Sequence, residues 1–178
     1  MITLTMKTLF EFGDILHSPI ETFYCSSDTF RLPMEAHWHY FVEIIYMQEG
    51  SVMTTCNDTT YRLTRGQVIL LPPQAMHSFY SDDGNAFRYV GVKFNLNRIL
   101  LSGSYLPNLN YAFHQVVKMD CPPIVFTEED LPDFNLETFF NTVVIETQEK
   151  RYGYNAYIYS LFSMFILKIL RIWHDRGK

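Results

Sequence analysis

Seven consecutive residues, His37-Trp38-His39-Tyr40-Phe41-Val42-Glu43, constrain the fold of this chain more than any other segment. In an extended strand, residues two apart share a face, so His37, His39, Phe41, Glu43, Ile45 and Met47 line one side. Trp38, Tyr40, Val42, Ile44 and Tyr46 line the other. Both faces are largely apolar, which fits a strand covered on each side rather than a half-solvated edge. An unpaired buried imidazole or carboxylate costs roughly several kcal/mol, so three such groups on one inner face mark a site. Gly50 closes the strand, and Gly66 followed by Pro72-Pro73-Gln74-Ala75-Met76-His77 introduces a second one whose histidine can reach the same interior point. The layout is that of a small β-barrel built around a pocket.

Alternation and turn residues extend this reading along the chain. Residues 1–33 read as an arm of short apolar clusters broken by Gly13, Pro19 and Pro33. Residues 34–126 read as the barrel, with strands at 37–48, 51–56, 60–64, 67–71, 77–80, 87–94 and 123–126. Between 95 and 122 the pattern loosens, and we expect a helical turn at 97–101 followed by a long surface excursion. From Thr127 the period becomes helical. Phe139, Phe140, Val143 and Val144 mark the apolar face of one helix, whose start Pro132 delays beyond a capping Thr127, and Gly153 separates it from a second helix over 155–174. On that helix Ile158, Phe162, Phe165, Ile169 and Ile172 form a seam of the kind that pairs helices, so this seam is the predicted dimerisation surface. The expected domains are thus a barrel with its arm at 1–126 and a helical dimerisation segment at 127–178 packed on it.

His37, His39, Glu43 and His77 leave three readings open. They suit a transition metal (zinc, iron, manganese, nickel or copper), direct contact with a small polar effector, or a self-satisfied polar core. Arg31, Tyr46, Phe79 and Tyr89 are the candidates for the pocket mouth. His17, His114 and His174 have no such company and read as surface or capping residues. No further acid or base is placed on the inner face, so no catalytic residue is assigned and an enzyme is not expected.

Charge and cysteine content narrow the class. The net charge of −5, with no cluster of lysine or arginine, lacks the electrostatic footprint of a nucleic-acid binder. Cys25, Cys56 and Cys121 are odd in number and share no close spacing, which reads as reduced thiols in a cytoplasmic protein. Ala156–Trp173 nearly reaches the length of a membrane span, but Lys168 and Arg171 interrupt it, so no membrane association is expected.

The pattern His-x-His-x3-Glu-x6-Gly with Gly66, Pro72 and His77 resembles the paired motifs of the cupin superfamily. This resemblance implies a mainly β, double-stranded β-helix (jelly-roll) barrel, here followed by two C-terminal α-helices. Arg31, Gln74 and Ser81 stand where the family usually has two glycines and an asparagine. The wording HWHYFVEIIYMQEGSVMTT, YRLTRGQVILLPPQAMHSFY and RYVGVKFN looks most like the amino-terminal effector-binding domain of AraC-type transcriptional regulators, over roughly residues 20–175. The resemblance implies a small polar effector, such as a sugar, bound in the barrel, a homodimer, and DNA contact only through a helix-turn-helix region absent from this chain. The alternative class is a metal-dependent cupin enzyme, such as an isomerase, epimerase or dioxygenase, working at the four-residue cluster.

Overall fold

The computed structural model of the chain describes residues 9–11, 20–99, 108–119 and 123–176. Among the described residues, nine strands form two antiparallel sheets, and three α-helices complete the fold. The strands are β1 (Ile20–Ser26), β2 (Met34–His37), β3 (Val42–Glu49), β4 (Ser51–Cys56), β5 (Thr59–Thr64), β6 (Val68–Leu71), β7 (His77–Ser81), β8 (Arg88–Phe94) and β9 (Val125–Phe126). The helices are α1 (Leu109–Val117), α2 (Leu136–Glu149) and α3 (Tyr154–Arg176). One sheet runs β1-β8-β3-β6-β9 and the other β2-β7-β4-β5, so the expected jelly roll is present as two facing sheets rather than a closed barrel.

Register sorts the side chains of the five-stranded sheet. Glu43 lies opposite Lys93 and Leu71, Ile45 opposite Gly91 and Ile69, and Met47 opposite Tyr89, all turned toward the second sheet. The alternate residues Val42, Ile44 and Tyr46, with Val90, Val92 and Phe94, face outward and are covered by helices. Tyr46 stacks on Phe140 of α2 at 5.1 Å, and Phe94 stacks on Phe162 of α3 at 4.7 Å. Burial on both faces explains why β3 reads as a continuous apolar run. Two glycines are required by contact. At Gly50, which turns β3 into β4 with φ +69°, a Cβ would sit 1.9 Å from the Ala86 carbonyl oxygen. At Gly91 it would sit 2.1 Å from the Phe23 ring, which takes the space beneath β8.

Several expectations need correction. The strand expected at 37–48 is two strands in different sheets, because the chain crosses between them at 38–41. The crossing segment finds other partners: Trp38 N–H donates to the Leu9 carbonyl, Glu11 N–H donates to the Trp38 carbonyl, and Gln74 N–H donates to the His39 carbonyl. The arm, expected to hold short strands and loops, does contain a strand, but β1 is no loose appendage: it pairs with β8 along its whole length. The helical turn expected at 97–101 is a single 3-10 turn at Leu96–Arg98, and the surface excursion holds α1, capped by the Asn108 side chain and burying Phe113 and Val116. Helix α2 starts after Asn135, whose side chain accepts from Thr138 N–H, whereas Thr127 and Asp130 close a separate turn upstream.

The seam on α3 also has a different role. Ile158, Phe162, Phe165 and Ile169 are fully buried within this chain, and Ile172 is half-buried. Phe162 and Phe165 meet Phe94, Phe134, Phe139 and Phe140 in one cluster of rings. The seam therefore binds the chain's own sheet and α2, and its four fully buried residues offer no surface to a second subunit. Helix α3 is long and apolar enough by length and composition to cross a membrane, and Ile158, Phe162, Phe165, Ile166, Ile169, Leu170 and Trp173 on it are buried in this core.

A polar clamp fixes the far end of the β4-β7 pair. Ser51 Oγ–H donates to Asp82 Oδ2 at 2.5 Å, and Arg62 Nε–H donates to the same oxygen at 2.7 Å. These two bonds hold the Asp82 carboxyl below its usual range. A folded-state pKa below the unfolded one stabilises the fold above the unfolded value, and that contribution is lost as pH falls through the folded one. Wild type should therefore exceed D82N in urea midpoint at neutral pH, and the gap should narrow as the pH is lowered through the folded-state pKa of Asp82. A gap that stays constant would show that the carboxylate charge plays no part.

Candidate functional site

Four side chains delivered by both sheets meet at one end of the interior. His37 ends β2 and pairs with His77 at the start of β7 in one sheet; Glu43 comes from β3 in the other; His39 lies in the crossing between them. His39, Glu43 and His77 are buried and His37 is partly so, and one potential ligand atom from each lies within 4.8 Å of the others. The His37 and His77 rings are 4.3 Å apart, and those of His39 and His77 are 4.9 Å apart. The spacing thus brought the right residues together, although the cause is a change of sheet rather than alternation along one strand.

The backbone sets the tautomers. Nδ1 of His37 lies 2.9 Å from the Glu35 carbonyl, Nδ1 of His39 lies 3.1 Å from the Phe41 carbonyl, and Nδ1 of His77 lies 2.9 Å from the Ala75 carbonyl. A carbonyl oxygen only accepts, so each Nδ1 carries a proton and donates it, which leaves Nε2 as the atom that a ring in its neutral form offers as a lone pair. Burial, with the neighbouring His77 adding to it, lowers the His37 pKa and favours that neutral form. Among the described residues, the buried Nε2 of His77 has no hydrogen-bond partner. Nε2 of His39 lies 2.8 Å from Glu43 Oε2, and that of His77 lies 3.4 Å from the same oxygen. Lone pairs cannot share such a space without a proton or a cation between them.

This donor set fits a divalent transition metal. Backbone-anchored Nδ1 atoms are the arrangement that orients histidine ligands, and the orphaned Nε2 of His77 is the atom a metal would satisfy. Zinc would draw together the four ligand atoms, which lie within 4.8 Å of one another. Burial opposes the charged Glu43 carboxylate, but the close approach of the His39 ring, with His77 and the Lys93 charge nearby, outweighs it and holds the carboxyl well below its usual range. Cys56 lies opposite His77 across the sheet, yet burial pushes its thiol up to about 12, so it remains protonated and supplies no thiolate.

The proposed pocket-mouth residues fall in three places. Phe79 and Tyr89 are fully buried and stack at 6.0 Å beneath the cluster, as a floor rather than a rim. Tyr46 faces the helices on the opposite side of its sheet and does not line the site. Arg31 is exposed and takes no part in the cluster. His114 and His174 are exposed, in keeping with a surface role, whereas His17 and Cys121 lie outside the described residues.

Two residues missed in the sequence border the cluster. Lys93 Nζ lies 3.8 Å from Glu43 Oε2 and donates to both carboxylate oxygens of Glu11, at 2.9 and 2.8 Å. Glu11 Oε2 is in turn 3.4 Å from His37 Nε2. Lys93 was legible in principle, since alternation along β8 places it on the same face as Tyr89. Glu11 gave no local signal, because its contact spans 82 residues.

A two-sheet jelly roll with C-terminal helices, holding three histidines and a glutamate between its sheets, defines a cupin-type binding domain. Residues 23–117 match the AraC-like ligand binding domain family, and the chain belongs to it. No match is found among curated proteins. Among solved structures the chain is similar to a conserved protein of Streptococcus pyogenes at 22% identity and TM-score 0.39, covering 43% of this chain and 65% of that one. The cupin domain of Schizosaccharomyces pombe Cnp3 is similar at 14% identity and TM-score 0.41, with 49% of this chain and 59% of that one covered. A cupin superfamily protein of Desulfitobacterium hafniense is similar at 12% identity and TM-score 0.39, with 44% and 69% covered. The chain thus spans less than two thirds of the first two.

Proposed function

We propose that this domain is the effector-sensing part of an AraC-type transcriptional regulator, acting by binding rather than by catalysis. The observation that carries this reading is the polar His37, His39, Glu43 and His77 cluster set between apolar sheets, in a chain whose family is a ligand-binding domain. A small polar metabolite, with sugars as the first class to try, enters beside His37 and shifts the population of domain conformations. The regulator works as a cytoplasmic homodimer, paired through the outer face of α3, where Tyr157 and Met164 are exposed, and DNA contact falls to a helix-turn-helix region.

The orphaned His77 Nε2 favours a metal-loaded form of the same site. His37, His39, Glu43 and His77 would hold the ion, which would supply a Lewis-acidic anchor for an oxygen of the effector. Calorimetry against a panel of sugars and small acids, with and without zinc, tests the proposal. Saturable heat that disappears in H39A supports sensing. Turnover of a panel compound would move the domain to the metal-dependent cupin enzymes instead.

A further inference from the structure

Lys93 is a mostly buried cation with an unusual partner. Its side chain is 11% exposed, its Nζ lies beyond hydrogen-bond range of Glu43 at 3.8 Å, and it sits 5.4 Å from the centre of the Phe23 ring. Among the described residues, the only hydrogen-bond acceptor of the ammonium is Glu11, through both oxygens of one carboxylate. Burial alone would lower the Lys93 pKa, but Glu43 and Glu11 raise it, so the ammonium is charged and needs an anion.

The anion comes from the short segment Leu9–Glu11. Leu9–Glu11 is attached by two backbone hydrogen bonds to Trp38 and by the Phe10 ring against Trp38 and Tyr40. Beside it opens a cleft of about 400 Å³ lined by the apolar Leu9, Phe10, Phe30, Met34 and Ala36, with Glu11, Glu35 and His37 as its polar members. Apolar side chains form most of its wall, and the Glu11 carboxylate that lines it is held from behind by the Lys93 ammonium and lies 3.4 Å from Nε2 of His37.

We propose that this cleft takes a small carboxylic acid with an apolar body, whose carboxylate replaces that of Glu11 at Lys93 and His37. Glu11 is then an internal surrogate that fills the anion position until the acid displaces its carboxylate. The inference rests on the sensing role proposed above and names its ligand class. A tethered competitor acts at an effective concentration on the order of millimolar, so its removal should strengthen binding of an external acid. Charged hydrogen bonds of this kind correspond to a change of about tenfold or more in affinity.

Titration calorimetry on the full chain, with hexanoate and benzoate beside hexanamide and benzamide, tests this. E11Q should bind the acids about tenfold more tightly than wild type, K93M should lose them, and the amides should respond to neither change. Equal or weaker acid binding by E11Q, or equal binding of acid and amide, overturns the proposal. Should K93M fail to fold, the E11Q comparison and the ratio of acid to amide decide alone. Silence from both acids with a response to a neutral sugar would remove this inference and leave sensing intact, whereas silence from acids and sugars alike would remove both.

Discussion

Phe162→Ala is expected to destabilise the fold by about 3–5 kcal/mol, the range for deleting a buried aromatic side chain. Phe162 is fully buried, stacks on Phe94 at 4.7 Å and meets Phe139 edge-to-face at 5.4 Å. Its removal opens a hole between sheet and helices that Phe139, itself held by Phe134, Phe140 and Phe165, cannot collapse to fill. Met164, on the same helix and 64% exposed, provides the control, and M164A should change stability by less than about 0.5 kcal/mol. Urea titration of the two variants decides the point. A small loss at Phe162 with a large loss of self-association would restore the seam as a subunit interface.

Zinc added to metal-free protein is expected to give the second large effect. At free metal about one hundred times the dissociation constant, stabilisation is about 2.7 kcal/mol, which for a domain of this size corresponds to roughly 5–10 °C in Tm. H77A should abolish the shift, because it removes the ring whose Nε2 has no hydrogen-bond partner among the described residues. H174A, at an exposed position, should keep it. Absence of a shift with zinc, iron, manganese, nickel and copper alike would leave the cluster as a polar floor for an organic effector.

How far the sequence could be read differs between the two halves of the fold. The β half was legible because its turns are written in Gly50, Asn57-Asp58, Gly66 and Pro72-Pro73, and β4 falls at Ser51–Cys56 as expected. Alternation grouped His37 with Glu43, yet it could not show that the chain changes sheets between them. The helical half misled in a more general way. The spacing of Ile158, Phe162, Phe165 and Ile169 reports that a face is buried, and it carries no information about whether the cover is the same chain or another. Helix α1 was missed although Pro107-Asn108 precedes it, since its nine residues are too short for periodicity to stand out. Glu11 was beyond reach, because a contact between distant segments leaves no mark on its neighbours.

The crossing at 38–41 gives the cluster a mechanical position. His37 and His77 belong to one sheet and Glu43 to the other, so anything held among them acts as a stitch across the sandwich and sets the gap between its two leaves. β3 carries Glu43 on one side and Tyr46, stacked on α2, on the other. Only the thickness of a single strand separates that stitch from the helical cover. A change in that gap would thus meet the helical cover through β3 itself, without passing through a loop.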